Sequence, residues 1–207
     1  MQSFTDAREE HARDEIWFLE HPPVYTLGMN AAREHVLAPG GIPLVQIDRG
    51  GQVTYHGPGQ LVVYPLLNVR RLGLGVRELV VGLENAVIAA LSGWGIEAVG
   101  RREAPGIYVG GRKIASIGLR IRRGCSYHGL AFNVSMDLEP FKGINPCGYQ
   151  GLEVIDLHSL GVDATLPQAA ERLAPQLLES LGWVPSPEWA PADISNPFLA
   201  GPDLHRS

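Results

Sequence analysis

The chain has 207 residues, 45% of them hydrophobic and 19% charged, with a formal net charge of −5. These values exclude a disordered or fibrous chain and fit one sizeable domain with its own core. Two cysteines without a CxxC, and histidines without HxxxH or HExxH spacing, argue against a disulfide framework and a zinc site. No apolar run reaches bilayer length, and the polar, acidic opening MQSFTDAREEHARDE is unlike a signal peptide, so a cytoplasmic protein with free thiols is expected.

The predicted elements begin with a short apolar strand at 16–20 that ends at His21-Pro-Pro, and a second at 44–48. Gly50-Gly51 breaks the chain before 52–56, and Gly57-Pro58-Gly59 breaks it again before a β-branched, buried strand at 60–67. From Val76 the period changes. Val76, Leu79, Val80, Leu83, Val87, Ala90 and Leu91 recur at three and four, which predicts an amphipathic helix ending at Gly93 or Gly95. Ile107 to Val109 and Arg112 to Ile121 flank Gly110-Gly111, a two-residue hairpin signal, and a further strand is expected at 126–134. A second helix is predicted over 165–181, with Thr165 as N-cap, Leu173, Leu177, Leu178 and Leu181 inward, and a kink or later start at Pro175. Residues 1–183 form the expected domain and 184–207 a Pro-rich tail. Strands with few, non-alternating helices imply an α+β fold, not a doubly wound one.

Charge is unevenly spread. Arg101, Arg102, Arg112, Lys113, Arg120, Arg122 and Arg123 cluster against the single acid Glu103, whereas acids dominate beyond residue 150. The cluster is either a solvated face or a basic docking patch for an acidic partner. Without interleaved aromatics it is a poor nucleic-acid surface.

On a regular strand Lys113 shares one face with Ala115, Ile117, Leu119 and Ile121, and is the only charge in that apolar row. Such a lysine either snorkels to water or is partly buried, where desolvation lowers its pKa toward proton-shuttle range. Cys147 stands between Pro146 and Gly148 in a turn, an exposed placement for a nucleophile, with the Gly148 N–H a candidate oxyanion donor. A tolerated loop residue is the plain alternative. Cys125, near Arg122 and Arg123, is the rival thiol, although His128 falls on the wrong face to activate it. The segment at 49–60 packs four glycines with Arg, Gln, Thr, Tyr and His, which reads as a tight hairpin or as a pocket wall.

The pieces RGGQVTYHGPGQLVVYPL (49–66), GRKIASIGLRI (111–121), YHGLAFNV (127–134) and INPCGY (144–149), with HPPVYTLG at 21–28, together resemble the octanoyl-[acyl-carrier-protein]:protein N-octanoyltransferases of lipoate biosynthesis over roughly residues 10–182. The resemblance implies an α+β fold, a mixed sheet packed with helices like the catalytic core of biotin and lipoate protein ligases. It implies Cys147 as the thioester-forming residue and Lys113 as its partner. Substrate binding is implied at Arg49, Gly50, Gly51, Gln52, Val53, Thr54, Tyr55 and His56, at Ser116, Ile117 and Gly118, and at Gly129, Leu130 and Ala131. Leu130, Phe132 and Val134 either line an acyl slot or belong to the core. The implied partners are octanoyl-acyl carrier protein and the lipoyl domains of 2-oxoacid dehydrogenases and glycine-cleavage H protein, without nucleic acid, membrane, metal or cofactor. An ATP-dependent lipoate or biotin protein ligase on the same fold is the alternative, and a non-catalytic carrier-binding module a second. Members of the family usually begin with a strand and the start of a helix that are not seen before MQSFTDA, where the chain is expected to open within a helix.

Overall fold

The computed structural model describes residues 1–9 and 11–182, and the backbone only at Cys147; the expected tail at 184–207 lies outside the described residues. After a short helix α1 (Gln2–Ala7) come the strands β1 (Glu15–Leu19), β2 (Val24–Leu27), β3 (Leu44–Gln46), β4 (Val53–His56) and β5 (Gln60–Leu66). Helix α2 (Val76–Ser92) leads into β6 (Val99–Gly100), β7 (Gly106–Val109), β8 (Arg112–Arg122) and β9 (Cys125–Asn133). Short 3-10 turns, one of them Pro146–Gly148, then lead to α3 (Leu166–Ser180).

Six strands form an antiparallel sheet in the order β1–β5–β9–β8–β7–β6, and β3–β2–β4 form a smaller sheet, with β2 parallel to β3 and antiparallel to β4. The mixed pairing thus resides in the small sheet. Helices α2 and α3 cover one face of the large sheet. Leu79, Leu83, Ala86, Val87 and Leu91 of α2 meet Leu173 and Leu177 of α3 and Val63, Ile114 and Phe132 of the strands in one core. The period read from the sequence supplies that stripe, and removal of these side chains from water drives the packing. Thr165 caps α3 reciprocally with Gln168, and the helix runs through the exposed Pro175, so no later start occurs. Of the leucines expected inward, Leu173, Leu177 and Leu181 are buried and Leu178 is half-buried. Phe132 and Val134 belong to this core and not to the slot considered for them.

One irregularity moves a side chain. Ile107 pairs with Ala115 and Tyr108 with Lys113, so Ile114 is an extra residue in β8, a β-bulge. Ile114 and Ala115 both enter the helical core. Alternation therefore restarts at the bulge, and Lys113 turns to the opposite face, alongside its cross-strand neighbour Tyr108. The expected row of Lys113 with Ala115, Ile117, Leu119 and Ile121 is broken for this reason.

Candidate active site

Where the small sheet lies over the large one, on the face away from the helices, a cavity of ≈ 340 Å³ opens. Its floor is made by two cross-strand pairs of very small residues, Ser116 with Ala131 and Gly118 with Gly129. Stacked sheets ordinarily interdigitate side chains across about 10 Å; four residues with little or no side chain leave that space empty. A Cβ on Gly118 would stand 2.9 Å from the Gly50 carbonyl oxygen and 3.1 Å from Arg49 Cδ, so any added atom would intrude on this wall. Val62 and Tyr64 of β5, Val24 and Thr26 of β2, and Val45 beyond them complete a mainly apolar enclosure. The volume is at the small end of the ~300–1,000 Å³ range of ligand pockets.

Of the residues expected at the substrate, Arg49, Gly51, Gln52, Val53, Thr54, His56, Ser116, Ile117, Gly118, Gly129, Leu130 and Ala131 line this cavity. Gly50 and Tyr55 stand outside its lining. Gly50 spends its N–H on the Leu119 carbonyl, and Tyr55 alternates to the other side of β4, where it packs with Tyr25, Phe141 and Ile144. Lining residues that the sequence did not single out are His21, Val24, Thr26, Val45, Ile47, Val62, Tyr64 and His128, with Met1 and Gln2 at the margin. They lie on strands or turns whose pairing with the Gly-rich segment has no local sequence signal; the HPP at 21–23 was the nearest hint.

A buried relay orders the polar end. Asn133 donates to the Ile155 carbonyl and accepts from Gln60 Nε2 at 2.9 Å, which fixes the Gln60 amide. Gln60 Oε1 therefore accepts from His56 Nδ1–H at 2.7 Å, leaving His56 Nε2 to face the Thr26 hydroxyl. Thr26 in turn receives the Arg49 guanidinium on both its hydroxyl and its carbonyl, at 2.9 and 2.7 Å. Burial, with Arg49 and the other histidines adding to it, pushes His56 down to about 3, so the ring is neutral. Tyr64, paired with His21 at 2.8 Å, is pushed up to about 12 by burial.

His128 adopts φ 58 within β9, a left-handed conformation uncommon outside glycine. Its Nε2–H donates to Asp48 Oδ1 at 2.8 Å, and Tyr127 donates to the other carboxylate oxygen. Burial alone would raise Asp48, but these donors and Gln2 outweigh it and hold the carboxyl at about 2. Burial likewise lowers His128, against the pull of Asp48. Among the described residues no cluster of three or more His, Cys, Asp or Glu is arranged to hold a metal ion.

Lys113 is 2% exposed. Its ammonium donates to the Pro105 carbonyl at 3.0 Å and lies 5.4 Å from the centre of the Tyr108 ring. Its main chain pairs with residues 153–155, through Lys113 N–H to the Glu153 carbonyl and Ile155 N–H to the Lys113 carbonyl. The Cys147 turn lies just before that stretch. Gly148, at φ 78, packs against Gln52 of the cavity wall, and Tyr149 donates to the Glu103 carbonyl, two residues from Pro105. The turn is thus held between the cavity and the loop that receives the lysine. The Gly148 N–H is committed to the Asn145 carbonyl at 3.0 Å, so it is not the oxyanion donor expected for it. His35 packs against the same turn, its Nδ1 shielded from solvent and without a hydrogen-bond partner among the described residues.

The rival Cys125 is buried opposite Arg122, at the far end of β8. With about 3.3 Å per residue it lies on the order of 25 Å from Lys113. The basic cluster divides the same way: Arg101, Arg102 and Arg112 are near Lys113, while Arg120, Arg122 and Arg123 stand at the other end, Arg122 paired with Asp6 at 3.0 Å.

Comparison with known proteins places this geometry. Residues 1–178 match the family model of the lipoyl protein ligase A/B catalytic domain. The chain is 58% identical to an octanoyltransferase of Xanthomonas euvesicatoria over 95% of its own length and 85% of the relative's. It is 54% identical to that of Shewanella sediminis over 88% and 84%, respectively. In fold it is similar to lipoate-protein ligase A bound with ATP (TM-score 0.72, 18% identity, 88% of this chain and 78% of the other). It is also similar to a biotin protein ligase from Aquifex aeolicus (TM-score 0.52, 15% identity, 79% and 70%). Several hundred curated proteins match it. The chain belongs to the octanoyltransferases of the lipoyl protein ligase A/B catalytic-domain family, and it is an acyltransferase.

Proposed function

We propose that this acyltransferase moves an octanoyl group from acyl carrier protein to a lysine of lipoyl domains, through a thioester on Cys147, with Lys113 as the proton-handling partner. The single observation that carries it is that one loop, 103–105, joins a buried lysine to the turn of Cys147, and that this turn packs on Gln52 of the apolar cavity wall. An ordinary thiol, with pKa about 8.5, is only a few per cent ionised at neutral pH. Lys113 takes up the Cys147 proton, and its ammonium stabilises the thiolate.

The thiolate attacks the donor thioester carbonyl. The new S–C bond forms as the carrier's S–C bond breaks, and the departing thiolate takes the proton from Lys113. In the second half-reaction the neutral amine of the acceptor lysine attacks the Cys147 thioester. The N–C bond forms, the S–C bond breaks, and the proton lost from nitrogen passes through Lys113 to regenerate the thiol. Both steps start from an activated acyl group, so no nucleotide is consumed. The apolar cavity receives the alkyl chain, and Arg49 with its relay to His56 stabilises the polar end of that wall. The acceptors are the lipoyl domains of 2-oxoacid dehydrogenases and glycine-cleavage H protein, served in the cytoplasm.

Intact mass spectrometry after incubation with octanoyl-acyl carrier protein tests this. One octanoyl adduct is expected, mapping to Cys147, released by hydroxylamine and absent from Cys147→Ala. Transfer from free octanoate that requires ATP and survives in Cys147→Ala would establish the ligase chemistry instead.

A further inference from the structure

We infer that the groove between α2 and the 100–105 loop docks an acidic face of the protein that carries the acyl thioester; this rests on the function proposed above. The groove, ≈ 470 Å³, is lined by Arg77, Val81, Ile88, Arg101, Arg102 and Pro105 among others. Arg77, Arg101 and Arg102 are all exposed, and so are the apolar Val81 and the flanking Val76 and Val99. Glu84, the acid in the lining, accepts from the Gly106 N–H at 3.0 Å, which draws its carboxylate inward. On a chain with net charge −5 this is a local reversal of sign beside an uncovered apolar strip. A surface presenting carboxylates around an apolar ridge complements it in both respects.

The groove adjoins the site. Pro105 is at once part of the groove lining and the acceptor of the Lys113 ammonium, and Glu103 of the same loop receives the hydroxyl of Tyr149 from the Cys147 turn. The loop stands between groove and turn, so a partner seated in the groove is set to one side of the Cys147 turn. A donor whose thioester hangs on a long flexible arm reaches across that offset. An acceptor that offers only a lysine side chain must sit directly over the thiol. The offset therefore assigns the groove to the acyl donor.

The test compares two donors with the full chain. In the double variant Arg77→Glu/Arg102→Glu, KM for octanoyl-acyl carrier protein is expected to rise about tenfold or more with kcat within about twofold, because rim charges act mainly on encounter. Turnover of octanoyl-coenzyme A, which has the arm but no protein, stays at the wild-type rate and certifies the fold and the site. Arg101 is left intact because its guanidinium packs 4.2 Å from the centre of the Tyr108 ring beside Lys113. Arg77→Lys/Arg102→Lys restores the low KM, and raised salt erases the difference between wild type and the Glu variant. An unchanged KM for the carrier-borne donor, an equal loss with both donors, or loss of binding to a duplex oligonucleotide alone would each overturn the assignment. If wild type acylates from neither donor, it is the proposed function that fails, and the groove is not reached.

Discussion

A lysine that is 2% exposed gives up most of its hydration, and here the loss is offset by the Pro105 carbonyl at 3.0 Å and the face of Tyr108. That is an unfavourable way to build a strand, since an apolar side chain of similar length would fill the space without needing a partner. Lys113→Met is therefore expected to melt no lower than wild type while acyl-enzyme formation falls by roughly 10²–10⁴-fold, the range of a lost acid–base group. Single-turnover mass spectrometry paired with a thermal melt checks both halves. Acylation at the wild-type rate would remove Lys113 from the chemistry. The floor of the cavity yields a second prediction. Ala131 faces Ser116 across the strands and is 5% exposed, so a leucine there has only the cavity to enter. Ala131→Leu is expected to shift preference to shorter acyl chains. Each methylene refused burial costs about 0.8 kcal/mol, close to fourfold in kcat/KM, so the octanoyl-to-butanoyl ratio should fall by at least about tenfold. A ratio that stays put would mean that the acyl chain lies elsewhere.

The β7–β8 hairpin is the element on which the lysine depends, and its glycines separate stability from activity. Gly106, at φ 145, has no room for a Cβ: the atom would stand 2.5 Å from the Ala115 oxygen and 2.5 Å from Lys113 Cε. Gly106→Ala is expected to cost about 1–3 kcal/mol in strain and to slow Cys147 acylation by displacing the lysine. Gly110, at φ 55 in the Gly110-Gly111 turn, meets nothing within 4 Å. Gly110→Ala should cost about 1 kcal/mol through its left-handed backbone alone and leave acylation untouched. Chemical melts with acylation rates distinguish the two, and equal effects would sink the claim that Gly106 seats Lys113. This hairpin also shows what the sequence makes legible. Two glycines between β-forming runs specify the turn, just as the three-four period specifies α2 and Thr165 with Gln168 specifies the start of α3. All are local signals. The bulge at Ile114 is not local: it is read only from which β7 residue meets which β8 residue, and it reversed the face expected for Lys113. The Gly148 N–H was likewise drawn into a turn with Asn145, and Tyr55 was turned from the cavity by alternation in β4. The Gly-rich segment was legible as a wall because small residues in number mean close approach. Its partners Thr26, Val62 and Tyr64 come from strands with ordinary apolar sequences, which carry no mark of what lies opposite.

Seen as a whole, the molecule puts its two tasks on opposite faces of one sheet. The helical face holds the dry core of Leu79, Leu83, Leu173 and Phe132, and the other face, under the small sheet, holds an apolar cavity bordered by buried histidines. Keeping those rings neutral ties stability to pH. His56 titrates at about 3 in the fold, against about 6.5 for an exposed histidine, because burial disfavours its cation. Between those two values the unfolded chain binds a proton that the native state refuses. Stability is therefore full above about pH 6.5 and falls as pH drops toward 3, by up to about 1.4 kcal/mol per pH unit for that one proton. His21 and His128 are lowered by burial as well and add to the same fall. Asp48, held at about 2 by Tyr127, His128 and Gln2, extends it below the ordinary carboxylate range, since its native form also resists protonation. Urea unfolding at pH 7, 6 and 5 should show this decline in wild type, with a shallower slope in His56→Gln, which retains an amide donor toward Gln60 but cannot take up the proton when unfolded. A variant slope as steep as the wild type between pH 6.5 and 5 would mean that His56 is protonated in the folded cavity, its Nε2–H then donating to the Thr26 hydroxyl while Nδ1–H still donates to Gln60.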